Sequence, residues 1–376
     1  MPVFQNPLWI PPLPAGGTPS APTAVTSVTA DSSATVSFLA PASAGSSPVT
    51  SYTATPYIAG VAQTPVTTLA GSAGSITGSN GGTYVQIPVT GLTNATAYTF
   101  TVHASNTSGA GAESAASGAN TPLSGLVFGD DFNGPSGGAI DPEWWVYTRC
   151  GYLAQSEVEY YLPSQVAIDG NGNLALTAVH TSYTGPDYPS DTGYPKNVTQ
   201  PWQSGAVQSN TRTYVPATGN TMTFEVRQQL CADAGNGFWP GLFWLEGYTY
   251  LDAWKTDPLQ QGWDSSGKAE IDVAEWFMSG SANSYGTNVY TGASYQHSVT
   301  SSGLATSMHT FQARWKPGAS VSFWQDGSQT GSTTSSVPDA TSSLFLLIYL
   351  QMLAGGPTTT ESCLIDHVRV FDQNLG

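Results

Sequence analysis

The chain runs to 376 residues, room for two domains of about 100 and about 250 residues. With 41 Gly, 26 Pro and only 9% charged residues it lacks the material for charged surface helices, so an all-β protein is expected. A formal net charge of -16 and a pI near 4.3 argue against a nucleic-acid backbone or an anionic membrane surface as partner.

Residues 1–20 form a Pro/Gly-rich arm that begins MPVFQNPLWIPPLP. It has neither a basic n-region nor an apolar h-region and does not read as a signal peptide, and no later apolar run is long enough to span a bilayer. The rest of the chain nevertheless looks built for an extracellular setting, whether secreted, cell-surface or virion-associated.

Residues 21–122 carry short alternating runs, ATVSF at 34–38, SYTA at 51–54 and AYTFTV at 97–102, separated by Gly, Ser, Asn and Pro clusters. That is the spacing of a small β-sandwich. Leu92 stands six residues before Tyr98 in GLTNATAYTFTVHASNTSGAG, and this segment resembles the tyrosine-corner region of a fibronectin type III domain. The resemblance implies a spacer or adhesive module, since such domains have no characteristic active site.

Residues 123–376 form a larger unit with strand candidates NLALT at 173–177, MTFEVR at 222–227, FQARW at 311–315, VSFW at 321–324 and LLIYL at 346–350. Strands in this number fit a β-jelly-roll sandwich of two sheets. GPSGG at 134–138 matches G-x-S-x-G, but it lies in a Pro/Gly turn with no helix after it and is no nucleophile elbow.

Chemistry concentrates in AEIDVAEWF at 269–277. Glu270 and Asp272 share a strand face, whereas Glu275, three residues on, faces the other way unless a β-bulge within Val273 and Ala274 restores the phase. With the bulge the two glutamate carboxyls lie roughly 5 to 7 Å apart, near the separation of a retaining glycosidase. Three such charges cannot all ionise cheaply, so at least one keeps its proton near neutral pH. An exposed acidic face or a calcium site would also gather acids here, but would leave the apolar flank of Trp276 and Phe277 unexplained.

Cys150, Cys231 and Cys363 share no zinc-type spacing with the five histidines. They are read either as one disulfide with a leftover thiol or as three inert buried thiols, and the pairing is not legible.

The segments DDFNG at 130–134, SEVEYY at 156–161, WQSGAVQS at 202–209, FEVR at 224–227, GFWPGLFWLEG at 237–247, AEIDVAE at 269–275, HTFQARW at 309–315, FWQDG at 323–327, then LAGG and IDHVRVF, follow one order. In this order they resemble glycoside hydrolase family 16, in its bulged, laminarinase-like branch, over about 250 residues. The resemblance implies a concave substrate cleft and a retaining endo-glycosidase that acts on a β-linked polysaccharide, with laminarin-type β-1,3-glucan expected first. Glu270 would be the nucleophile, Glu275 the acid and base, and Asp272 a hydrogen-bonding partner of Glu270. Trp239, Trp276 and Trp244 would stack on sugar rings, with Trp202 and Tyr161 behind them, and Glu157 and Tyr290 would touch substrate. Glu225 and Arg227 share a strand face, as a cross-strand pair or as cleft residues.

Tyr290 and Gln351 stand where the family usually carries histidine and asparagine, which leaves substrate choice open. Galactans, agars, carrageenans and transglycosylation are the alternatives within the class, and a non-catalytic carbohydrate-binding or virion adhesion protein is the alternative outside it. No cofactor is required for the chemistry; a structural calcium would use Asp131, Gly172 and Asp366. His309 is read as a satisfied strand histidine. The expected partner is polysaccharide, with no nucleic acid and no membrane, and a monomer is expected.

Overall fold

The computed structural model describes residues 17–151, 157–186, 197–234, 236–246, 269–276, 283–291 and 294–375, without the side chains of 243–246 and 294. Residues 1–16 of the arm and Phe277 lie outside this set. Among the described residues regular structure is β with two 3₁₀ turns, and no helix is long and apolar enough to cross a membrane.

In the smaller unit the three predicted runs lie in Ser33–Leu39, Ser51–Ile58 and Thr99–Asn106. Thr99–Asn106 alternates half-buried and buried residues along its whole length, as a strand with one face on a core should. Thr23–Ala30, Ser33–Leu39, Thr83–Thr90 and Gly74–Thr77 make one sheet, and Ser51–Ile58, Val61–Ala62, Val66–Leu69, Thr99–Asn106 and Gly109–Ala110 the other. Val36, Phe38, Tyr52, Ile87, Phe100 and Val102 fill the space between them. Tyr98 is buried, and its hydroxyl accepts the Thr93 N–H at 3.0 Å, which closes the expected tyrosine corner.

Among the described residues the larger unit has two main sheets, besides a three-stranded and a two-stranded sheet. The outer one runs Ser328–Thr333, Ser320–Gln325, His309–Lys316, Thr221–Gln229, Glu361–Gln373 and Leu126–Asp130. The inner, curved sheet has seven strands in the order Trp144–Val146, Ala206–Ser209, Leu344–Met352, Phe238–Glu246, Glu270–Glu275, Ser284–Tyr290 and Ser294–Thr300. Phe224, Val226, Phe311 and Trp315 of the outer sheet meet Ile271, Leu346, Ile348 and Leu350 of the inner one.

LFLLIYLQM at Leu344–Met352 is apolar almost throughout because both of its faces are covered. Leu346, Ile348 and Leu350 face the core, while Phe345, Leu347 and Tyr349 pack with Tyr147 and Tyr161 on the opposite side. Phe238–Glu246 separates this strand from the one that carries the acids.

The two units share a sheet. Thr29 pairs with Gly129, so the outer sheet continues from Leu126–Asp130 into Thr23–Ala30. Asn120 clamps the joint: its Nδ2 donates to the Ser27 carbonyl at 2.7 Å and its Oδ1 accepts the Asp131 N–H at 2.6 Å. Gly118 runs so close to the next segment that an added Cβ would lie 1.5 Å from the Asn133 carbonyl oxygen, and only glycine fits there.

Candidate active site

The spacing anomaly in the carboxylate strand is resolved by a bulge. Toward Phe238–Glu246, Ala274 pairs with Leu242 and Asp272 with Phe243, which leaves Val273 without a partner. Toward Ser284–Tyr290, Asp272 pairs with Asn288 and Glu275 with Gly286, again with one extra residue on the acid strand. Ile271, Val273 and Ala274 all enter the core, and the extra residue rotates Glu275 back to the face of Asp272. Asn288 records the result, because its Nδ2 donates to Asp272 Oδ2 at 2.7 Å and to Glu275 Oε2 at 3.0 Å. One amide group therefore bridges two of the three acids.

Burial dominates the electrostatics. It pushes Glu270 up to about 7, aided by the charge of Glu275 and opposed by a hydrogen bond from Asp272. Asp272 lies well above the usual carboxylate range, through burial first, then the charge of Glu270 and the same hydrogen bond. The hydrogen bond favours ionised Glu270 and neutral Asp272, so Asp272 holds the shared proton. Glu275 is pushed up to about 8 by burial and the charge of Asp272, against hydrogen bonds from Trp239 and Asn288. Glu270 therefore ionises before Glu275 as pH rises.

Trp239 is buried at 6% exposure, lowers the Glu275 pKa from its place beside that residue and packs edge-on against Tyr349 at 6.4 Å. Its position makes it a wall beside the acid. If the indole restrains Glu275, Trp239→Phe should move the alkaline limb of the kcat/KM profile up by about one pH unit. An unmoved limb with only a raised KM would assign the residue to sugar contact alone. Tyr290 is the register partner of Glu270, is half-buried, and has its hydroxyl held by Gln296 Nε2 at 2.8 Å. The three acids all push the Tyr290 pKa up, although its burial contributes more.

Glu157 is buried and accepts Gln351 Nε2 at 2.6 Å, while Gln351 Oε1 has no protein donor. Sequence reasoning passed over three neighbours, Asn288, Tyr349 and Glu159. Tyr349 lies across Gly241 from Glu275, because Gly241 pairs with both. Glu159 is fully buried, takes the Met352 N–H at 2.9 Å and shares a hydrogen bond with Glu157; burial raises its pKa. Both of these carboxyls converge on Gly151, where an added Cβ would lie 2.3 Å from Glu159 Oε1 and 2.8 Å from Glu157 Oε2. The signal was present in E-x-E-x-Y at 157–161, whose period of two places all three side chains on one face.

Several expected site residues lie elsewhere. Trp276 has no exposed surface and packs between Tyr285 at 5.1 Å and Phe311 of the outer sheet at 5.5 Å, so it is core and no sugar platform. Trp276→Ala should cost about 3 to 5 kcal/mol in urea unfolding; a raised KM with unchanged stability would return the residue to the cleft. Trp202 is likewise core, against Phe238 at 5.5 Å. The side chain of Trp244 lies outside the described residues. Glu225 and Arg227 alternate with the core residues Phe224 and Val226, so they face away from the inner sheet. There Glu225 meets His367 at 3.1 Å and Arg227 meets Asp366 at 2.9 Å. His309 is satisfied by Asp326 at 2.6 Å and Ser307 at 2.9 Å.

Asp131 and Asp366, expected to hold calcium, each accept hydrogen bonds within the protein. Asp131 spends one oxygen on Arg369 at 2.9 Å and the other on the Thr121 N–H, and Asp366 spends its two on Arg227 and His367. Gly172 sits in a turn with φ +88° beside Asn133 Oδ1. Among the described residues no group of three or more His, Cys, Asp or Glu side chains could hold a metal ion.

Residues 17–119 match the model of the fibronectin type III domain. The N-terminal unit is a fibronectin type III domain. The chain beyond this domain is similar in fold to an endo-β-1,3-glucanase from Pyrococcus furiosus, with TM-score 0.50 and 19% identity over 66% of this chain and 94% of that one. It is also similar to an endo-1,3-β-glucanase from Streptomyces sioyaensis, with TM-score 0.51 and 22% identity over 67% and 98% of the two chains. A third likeness is to a structure described among endo-acting O-glycanases that prominent members of the human gut microbiota express to initiate mucin breakdown. It has TM-score 0.53 and 20% identity over 66% and 91% of the chains. Comparison with curated proteins gives no match. The fibronectin type III domain thus precedes a jelly-roll fold like that of these solved structures.

Proposed function

We propose that the larger unit is a retaining endo-glycosidase acting on a β-linked polysaccharide, β-1,3-glucan first. The observation that carries this reading is the bulge at Val273, which sets Glu270, Asp272 and Glu275 on one face with Asn288 bridging the last two. In the first step the Glu270 carboxylate attacks the anomeric carbon, and Glu275 gives its proton to the departing oxygen. The raised Glu275 pKa keeps that proton available at neutral pH. Esterification removes the charge from Glu270, and Glu275, now a carboxylate, accepts a proton from the water that hydrolyses the ester. Asp272 holds its own proton, directed at the Glu270 carboxylate, and stabilises the anion re-formed at the end.

The two glucanase likenesses support glucan over other polymers, and the O-glycanase likeness puts mucin-type glycans on the test panel. The full chain would be incubated with laminarin, mixed-linkage glucan, agarose, carrageenan and mucin, and early products followed by proton NMR. The expected result is oligosaccharides from laminarin whose new reducing end is first β. An α product would overturn the double displacement, and binding without cleavage of any polymer would favour the adhesion protein.

A further inference from the structure

Cys231 and Cys363 meet in the core at the point where the outer sheet hands the chain to the inner one. Cys231 follows Thr221–Gln229, and its backbone N–H donates to Cys363 Sγ at 3.2 Å. Gln229 pairs with Leu364, so the ladder brings the next residues of both strands alongside each other. Both cysteines are 2% exposed, while Cys150 is buried in a separate cluster with Tyr160 and Leu162. The surrounding chain is also tied, with the Ala232 N–H on Glu361 Oε2 at 3.0 Å and Thr359 Oγ1 on Asp233 Oδ2 at 3.2 Å.

We infer that Cys231 and Cys363 are a disulfide site, closed when the chain folds in the presence of a small-molecule or protein disulfide, and that Cys150 is the thiol left over. This assignment is independent of the glycosidase reading. One cysteine thiolate attacks the oxidant and forms a mixed disulfide; the other then displaces the oxidant's second sulfur. The protein loses two protons and two electrons, and the oxidant is reduced to two thiols. The Cys363 sulfur lying 3.2 Å from the Cys231 backbone nitrogen supplies the proximity that a disulfide bond needs. The bond would close a loop between positions 132 residues apart and staple the crossover that leads into the strand carrying Trp239.

The test uses the full chain folded with oxidised glutathione and compared with chain folded under dithiothreitol. In guanidinium, without reductant, the oxidised protein should titrate one thiol per chain and weigh less by two hydrogen atoms. The chain folded under dithiothreitol should titrate all three of its cysteines. Reduction should lower Tm by roughly 5 to 15 °C. Cys363→Ala should abolish that difference, and Cys150→Ala should leave it intact with no titratable thiol in the oxidised form. Three thiols in the glutathione-folded chain, or a peptide linking Cys150 to either partner, would overturn the assignment.

Discussion

Glu270→Ser is expected to lower polysaccharide turnover by at least about 1,000-fold while leaving the binding of oligosaccharides close to that of the parent. The serine hydroxyl is too short and too weak a nucleophile to form the glycosyl-enzyme, and Asp272 is held by Asn288 and kept protonated by its burial. The measurements are initial rates on the polymer that the parent cleaves and calorimetric binding of its oligosaccharides. A variant that turns over as fast as the parent would remove Glu270 from the reaction. Loss of binding together with turnover would point to a collapsed site, which near-ultraviolet circular dichroism would detect.

Glu275→Gln is expected to lose about 100- to 10,000-fold on the polysaccharide, because the amide cannot protonate a poor leaving group. With an aryl glycoside whose phenol leaves without protonation, formation of the glycosyl-enzyme should remain fast and the defect should move to its hydrolysis, so the intermediate accumulates as a burst. The parent's alkaline limb, set by Glu275 near pH 8, should disappear in the variant. An equal loss on both substrates would deny Glu275 the acid role.

The same residue carries a stability consequence. The Glu275 pKa is raised on folding, so its contribution is fully present below the unfolded carboxylate value near 4.5 and is lost as pH rises through about 8. Glu275→Gln should therefore be more stable than the parent at pH 9, by on the order of a few kcal/mol, and close to it at pH 4. Thermal unfolding at the two pH values reads the difference. The cost is that of holding a proton donor in a buried site.

Much of this protein was legible as pattern. Alternation gave the strands of the smaller unit, and Leu92 with Tyr98 announced a corner that the Thr93–Tyr98 hydrogen bond closes. The odd step from Asp272 to Glu275 could be read as a bulge because a strand has a period of two and two strongly polar residues cannot share the core with Ile271. Ladder pairing supplies the missing position at Val273.

Trp276 and Trp239 show where pattern stops. Both flank the acids by sequence or by pairing, and both are aromatic, yet one packs on Phe311 of the opposite sheet and the other on Tyr349 of its own sheet. The difference is set by which face the bulge leaves each neighbour on, and by what the second sheet offers there. Asp131 and Asp366 are a similar case, because their meaning depends on Arg369 and Arg227, which are remote or on another strand.

The sequence by itself determined the all-β class, the smaller domain's type and the strand that holds three acids, because these rest on short-range periodicity and turn chemistry. Only the tertiary structure decided that Asn288 ties Asp272 to Glu275, that Glu159 backs Glu157, that Cys231 lies on Cys363, and that the two units share one sheet. Each of those depends on register between strands far apart in the chain, and a one-residue slip would turn every side chain concerned to the other face.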